Sequence, residues 1–142
     1  MIKEFEQFHG IAISRLTHKF GEITISTDVN CDNSSYILNG TCGIYIKFSK
    51  KRLTPWQFTF NSEHYTSIKQ LADRSVKGYV VFVCGMDGLC CLSFEDFFCI
   101  VNGIEQGMAK SVSISRFKKQ QYQVKGTDNE IKRKFADGEM TL

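Results

Sequence analysis

An α+β (or α/β) domain with a central mixed β-sheet flanked by about three helices is the fold class the sequence predicts. Apolar residues near the N-terminus recur with a helical period, and an Asn-Gly pair joins two alternating runs. A continuous β-branched and aromatic segment from Gly78 to Cys84 reads as a central strand covered on both faces. With 142 residues, 42% of them hydrophobic, the chain can bury a core without disulfide staples, and residues 1–126 are expected to form one globular domain.

The elements follow in order. Phe5, Phe8, Ala12, Leu16 and Phe20 step by three and four, the period of an amphipathic helix, and Gly21 supplies its stop. His9 and His18 ride on this helix as partly exposed or helix-face residues rather than ligands. Glu22 to Thr27 alternates and predicts a strand, followed by a polar loop over 28–34. Ser35 to Leu38 and Gly43 to Phe48 predict two strands joined at Asn39 and Gly40. Gln57 to Phe60, entered through Pro55, predicts a third strand of the same meander. Asn61 or Ser62 caps a helix whose Tyr65, Ile68, Leu71 and Ala72 share a face, ending near Arg74.

After the central strand, Asp87 and Gly88 provide turn chemistry, and Leu89 to Leu92 returns. Ser93 and Asp96 cap a third helix carrying Phe97, Phe98, Ile100, Val101 and Ile104, with Glu95 and Asp96 favouring its dipole. Val112 and Ile114, then Tyr122 and Val124, predict a last hairpin whose turn exposes Lys118 and Lys119. Residues 127–142 are mostly polar and read as a flexible C-terminal tail.

The net charge of +3 is mild but unevenly spread. Lys47, Lys50, Lys51 and Arg52 have no acidic neighbour between Asn33 and Ser62. A second basic zone runs from Lys110 to Lys134, where Arg116, Lys118, Lys119, Lys125, Lys132 and Arg133 outnumber Asp128 and Glu130. Such zones attract polyanions more strongly than the net figure implies. Phosphate contact by Lys47, Lys50, Lys51, Arg52, Lys118 and Lys119 is therefore the leading expectation, with Trp56 or Phe58 offering a face for an unpaired base.

The opening MIKEFEQF has no basic n-region before an apolar stretch and does not read as a signal peptide. Cys84, Cys90, Cys91 and Cys99 sit in apolar runs, so reduced thiols in the cytoplasm are expected. No C-x-x-C pair exists; a zinc site would need distant residues such as Cys31, Cys42 and His64, and a Cys84 and His64 nucleophile pair has no local signature. No apolar run is long enough for a bilayer, so no membrane partner is expected.

The order helix, three strands, helix, strand, with Lys47 late in the third strand, resembles the core of the PD-(D/E)XK nuclease superfamily, a restriction-endonuclease-like fold. In that family an acid on the second strand and an acid two residues before a third-strand lysine hold a divalent metal, and the lysine orients or activates water. Ile44, Tyr45, Ile46 and Lys47 align with the end of the motif. Tyr45 stands where the metal-binding acid belongs, and Asn39, Asp32 or Asp28 occupies the region of the first acid, with Glu6 on the first helix. A phenol that keeps its proton is a poor magnesium ligand, so the resemblance implies a degenerate site.

The run IYIKFSKKRLTPWQFTF, a His-containing helix and a VCGMDG turn are also similar to short bacterial proteins to which no activity attaches; this resemblance implies that the run is a coherent unit. The leading expectation is a non-catalytic nucleic-acid-binding or accessory protein of a DNA or RNA complex, with no cofactor. One alternative is a Mg2+-dependent nuclease in which Glu6, Asp28 or Asp32 supplies carboxylates and Lys47 assists the water. Another is a protein-interaction regulator that meets a protein partner through aromatics around Trp56.

Overall fold

The computed structural model describes residues 1–28 and 30–142; Val29, in the loop expected over 28–34, lies outside the described residues. The chain forms α1 (Glu4–Phe20), β1 (Ile25–Thr27), β2 (Ser35–Leu38), β3 (Cys42–Ser49), β4 (Trp56–Asn61), α2 (Ser62–Arg74), β5 (Lys77–Cys84), β6 (Gly88–Ser93), α3 (Phe94–Ile100), β7 (Ala109–Ser115), β8 (Tyr122–Gly126) and β9 (Glu130–Phe135). This is the mixed α+β architecture the sequence predicts, with three helices among the described residues. The strands divide between two sheets, ordered β1-β2-β3-β5-β6 and β4-β7-β8-β9.

The first sheet is mixed because β3 and β5 run parallel, from Cys42 opposite Lys77 to Ser49 opposite Cys84. Its two faces feed two cores. On one face Ala12 and Leu16 of α1 pack on Ile44, Ile46, Val81, Val83, Leu89 and Cys91. On the other, Val80, Phe82, Cys84, Cys90 and Leu92 meet α2, α3 and the second sheet. Burial on both sides explains why β5 is apolar throughout, and why adjacent Cys90 and Cys91 belong to opposite cores.

Local chemistry sets the boundaries. Gly21 closes α1 with a positive φ of 81°, its N–H donating to Thr17 O at 2.8 Å. Asn39 and Gly40 both take positive φ, as the hairpin signal requires, and Thr41 joins them in the turn. Asn61 Oδ1 accepts from the His64 N–H at 2.8 Å to start α2, and Ser93 Oγ accepts from the Asp96 N–H at 3.1 Å to start α3.

Four expectations are corrected. β4 does not continue the first meander: it pairs with β7, Trp56 opposite Ile114 through Asn61 opposite Ala109. The edge of β3 is taken by β5, and the strict alternation of β4 suits a sheet with one wet face. α3 stops at Ile100, leaving Ile104 in the following loop. His9 is buried, its Nδ1 2.8 Å from Tyr36 Oη and its ring 5.1 Å from that of Phe5. Residues 127–142 are not a loose tail. They supply β9, the buried Phe135 and Met140, and Asp137, which accepts from the Leu89 N–H at 2.9 Å and pairs with Arg15 at 2.7 Å. Ile131 and Phe135, four apart on one strand face, are the apolar pair that ties this segment down. Among the described residues no helix is long and apolar enough to cross a membrane.

Candidate nucleic-acid interface

The first basic zone and the Arg116–Lys119 part of the second, far apart in sequence, meet at one end of the molecule. Parallel pairing brings the C-terminal ends of β3 and β5 side by side, and Gly85 N–H donates to Ser49 O at 2.9 Å. The β3–β4 loop folds against that turn, with Trp56 Nε1 donating to Lys51 O at 2.8 Å and Lys51 Nζ donating to Pro55 O at 3.0 Å. At Gly85, where φ is 54°, an added Cβ would collide with Lys51 O, so the approach depends on glycine. The β7–β8 turn is fastened to the same end by Arg116 N–H, which donates to Thr54 Oγ1 at 2.9 Å.

Beneath the turns lies a polar anchor. Asp87 accepts from Arg116 at 2.9 Å and from Tyr122 Oη at 2.6 Å, so this aspartate does more than make a turn. Burial and the neighbouring Asp87 carboxylate push the Tyr122 phenol up, keeping it a proton donor. The guanidinium of Arg116 also lies 4.8 Å from the Tyr122 ring centroid.

The candidate cations divide. Lys50, Lys51, Arg52, Lys118 and Lys119 are exposed at this pole. Lys50 carries an ion pair with Glu4 at 3.1 Å, both partners half-exposed, which is a weak, salt-screened contact. Lys47 belongs elsewhere. It points from β3 toward the second sheet, donates to Thr59 O at 2.8 Å and lies 4.8 Å from the Phe60 ring centroid. Burial lowers its pKa, with Asp32 acting in the opposite direction. Trp56 is also withdrawn: it is 2% exposed and packs edge-on against Tyr122, and Phe58 is equally buried, so neither presents a face to a base. The exposed apolar groups of the pole are instead Leu53, Met86 and Phe117, at 60%, 86% and 58% exposure. Sequence reasoning missed Phe117; its signal was an aromatic lodged between Arg116 and Lys118 after the β7 alternation ends.

The proposed nuclease residues are each engaged locally. Glu6 accepts from the Lys3 N–H at 3.0 Å as part of the α1 cap. Asp28 accepts from the Asn30 N–H and pairs with Arg74 at 2.6 Å, and these contacts hold its carboxyl below the usual range. Asp32 accepts from Tyr45 Oη at 2.6 Å and from the Ser34 N–H at 3.0 Å. Burial pushes the Tyr45 phenol up, and the Asp32 bond adds to the effect. Magnesium requires oxygen ligands in near-octahedral array. Among the described residues no group of three or more His, Cys, Asp or Glu side chains is arranged to hold a metal ion, and Tyr45 is a phenol that keeps its proton and donates a hydrogen bond to Asp32. These residues do not fit a magnesium ion.

Cys42, Cys84, Cys90 and Cys91 are buried, and burial pushes the Cys91 thiol up to about 12. Cys42 packs in the α1 core, whereas Cys31 packs in the core between the sheets, so the zinc trio of Cys31, Cys42 and His64 is not assembled. Comparison with known protein families, with curated proteins and with solved structures finds no match to this chain.

Proposed function

We propose that the chain binds DNA or RNA without cutting it, as an accessory of nucleic-acid complexes, through the pole formed by the β3–β4 loop and the β7–β8 turn. The observation that carries this reading is the Arg116 to Thr54 hydrogen bond, which joins Lys50, Lys51 and Arg52 to Lys118 and Lys119 on one exposed end. The acids in ion pairs there, Glu4, Asp87 and, beside the β5–β6 turn, Asp137, are each answered by one cation. Clustered ammonium and guanidinium groups displace counterions from a phosphate backbone, giving affinity that falls steeply with salt.

The test is oligonucleotide binding across a salt series. About four phosphate contacts predict a log–log slope of about −3 to −4. Charge reversal at Lys51, Arg52, Lys118 and Lys119 lowers affinity by about tenfold or more at low salt. Unchanged affinity in that variant would remove the pole from the interface. Cleavage in magnesium or manganese that Lys47→Ala abolishes would instead support the nuclease alternative. The exposed Leu53, Met86 and Phe117 favour a second reading, a protein partner at the same pole, marked by salt-insensitive binding and no nucleic-acid affinity.

A further inference from the structure

We infer that the outward face of the second sheet continues the interface as a phosphate track, so that a nucleic-acid strand runs from the pole down β8 and β9 and is gripped by its backbone without reading of its bases. This rests on the proposed function but on different residues.

Buried Val112, Ile114, Tyr122 and Val124 fix the inward face of β7 and β8 and alternation turns the residues between them outward, while the bulged β9 exposes Lys132, Arg133 and Lys134 in a row before the buried Phe135. Ser113, Ser115, Gln123, Lys125, Lys132 and Lys134 thereby line one groove of about 380 Å³. Its chemistry is that of a phosphate site. Ammonium groups supply charge, and hydroxyls and an amide supply short donors for phosphate oxygens. None of the three lysines is in an ion pair among the described residues. Glu130, opposite Lys125 in the register, is the carboxylate in the groove, which leaves a surplus of positive charge.

Register gives the track its direction. Tyr122 pairs with Phe135 next to the β7–β8 turn, and Lys125 pairs with Glu130 at the far end. Lys134 therefore lies nearest Lys118 and Lys119, followed by Lys132 and then Lys125. Between Tyr122 and Val124 two steps of β8 face four of β9, so Lys132 and Lys134 ride on a bulge and stand closer together along the sheet than on a regular strand. No aromatic side chain lines the groove, so stacking and base discrimination have no platform there, and the ligand is held through phosphates and sugar hydroxyls.

The experiment measures anisotropy of single-stranded oligonucleotides of about six and about twenty-four nucleotides, lengths near the lower end of, and beyond, the range of single-domain sites. It compares the parent, K125Q/K132Q/K134Q, its Lys→Glu counterpart and the pole variant, with thermal melts verifying that each folds. Loss of three phosphate contacts weakens the long oligonucleotide by about tenfold or more and flattens its salt slope by about two. The short one, which the pole alone can hold, keeps its affinity within about twofold. Full retention of long-oligonucleotide affinity and slope in both groove variants, while the pole variant loses binding, overturns the track and leaves the proposed function standing. A parent protein that binds neither oligonucleotide overturns both.

Discussion

β5 and β7 are both internal strands of their sheets, yet they meet water in opposite ways. β5 buries Val80, Phe82 and Cys84 on one side and Val81 and Val83 on the other. β7 buries only Val112 and Ile114, and its serines at 111, 113 and 115 point away from the core. The difference divides the labour of the molecule. The centre of the first sheet has no free face and can reach a ligand only through the loops at its ends. The second sheet keeps one face wet, and a ligand can lie along it.

The largest test of this contrast is Phe82→Ala. Phe82 is fully buried between the sheets and meets Phe58 at 4.7 Å and Phe60 at 6.1 Å, ring centroid to centroid. Its truncation opens a cavity against both sheets and costs about 3–5 kcal/mol in urea denaturation. A loss under about 1 kcal/mol would mean that the sheets are not locked through β5.

Sequence made the first sheet legible and left the second obscure for the same reason. A strand buried on both faces announces itself by an unbroken apolar run, as Gly78 to Cys84 does. The end of α1 and the starts of α2 and α3 were equally readable, because Gly21, Asn61 and Ser93 carry out capping roles that depend on near neighbours, whereas the end of α3 at Ile100 was not. β4 was visible as a strand, but its partner lies about fifty residues on, and alternation names a wet face without naming a neighbour. β9 was hidden because its three consecutive cations, Lys132, Arg133 and Lys134, outnumber its apolar Ile131 and Phe135. The basic zones were visible as charge, but which cations converge depended on tertiary turns. Lys47 follows β3 into the interior while Lys50 to Arg52 leave with the loop, and no pattern in the run separates them.

A second test concerns the covered face of the first sheet, where α1 buries His9. Its Nε2 has no hydrogen-bond partner, and burial lowers its pKa, with the Asp32 charge opposing. Tyr36 takes its Nδ1 and Phe5 packs on the ring, so a second proton has no acceptor ready. With the folded pKa below the ordinary histidine value of 6.5, the unfolded chain binds more protons than the folded one as pH falls under 6.5. Stability is therefore fully present above 6.5 and declines as pH drops through 6.5 toward the folded pKa. His64, also lowered by burial and by Lys47, adds to the same window. Urea midpoints at pH 7.5 and 5.5 measure the combined slope, and His9→Gln isolates its share by flattening it. An unchanged slope in His9→Gln would show that α1 does not hold this ring in a water-poor setting.

The smallest expected effect bears most on function. Ser113 and Ser115 sit on the free face of β7; Ser113 Oγ accepts from Gln57 Nε2 at 3.0 Å in an exposed contact, while the backbone of both residues is held by pairing with β8. Replacing both with alanine removes two hydroxyls already exposed to water and leaves the inward Val112 and Ile114 untouched, so stability changes by within about 0.5 kcal/mol. Serines whose removal leaves stability unchanged are free to answer to a ligand. Equilibrium unfolding of the double variant decides whether that freedom exists. A loss above about 1 kcal/mol would make the serine face part of the scaffold, and the contrast between β5 and β7 would then be one of composition alone.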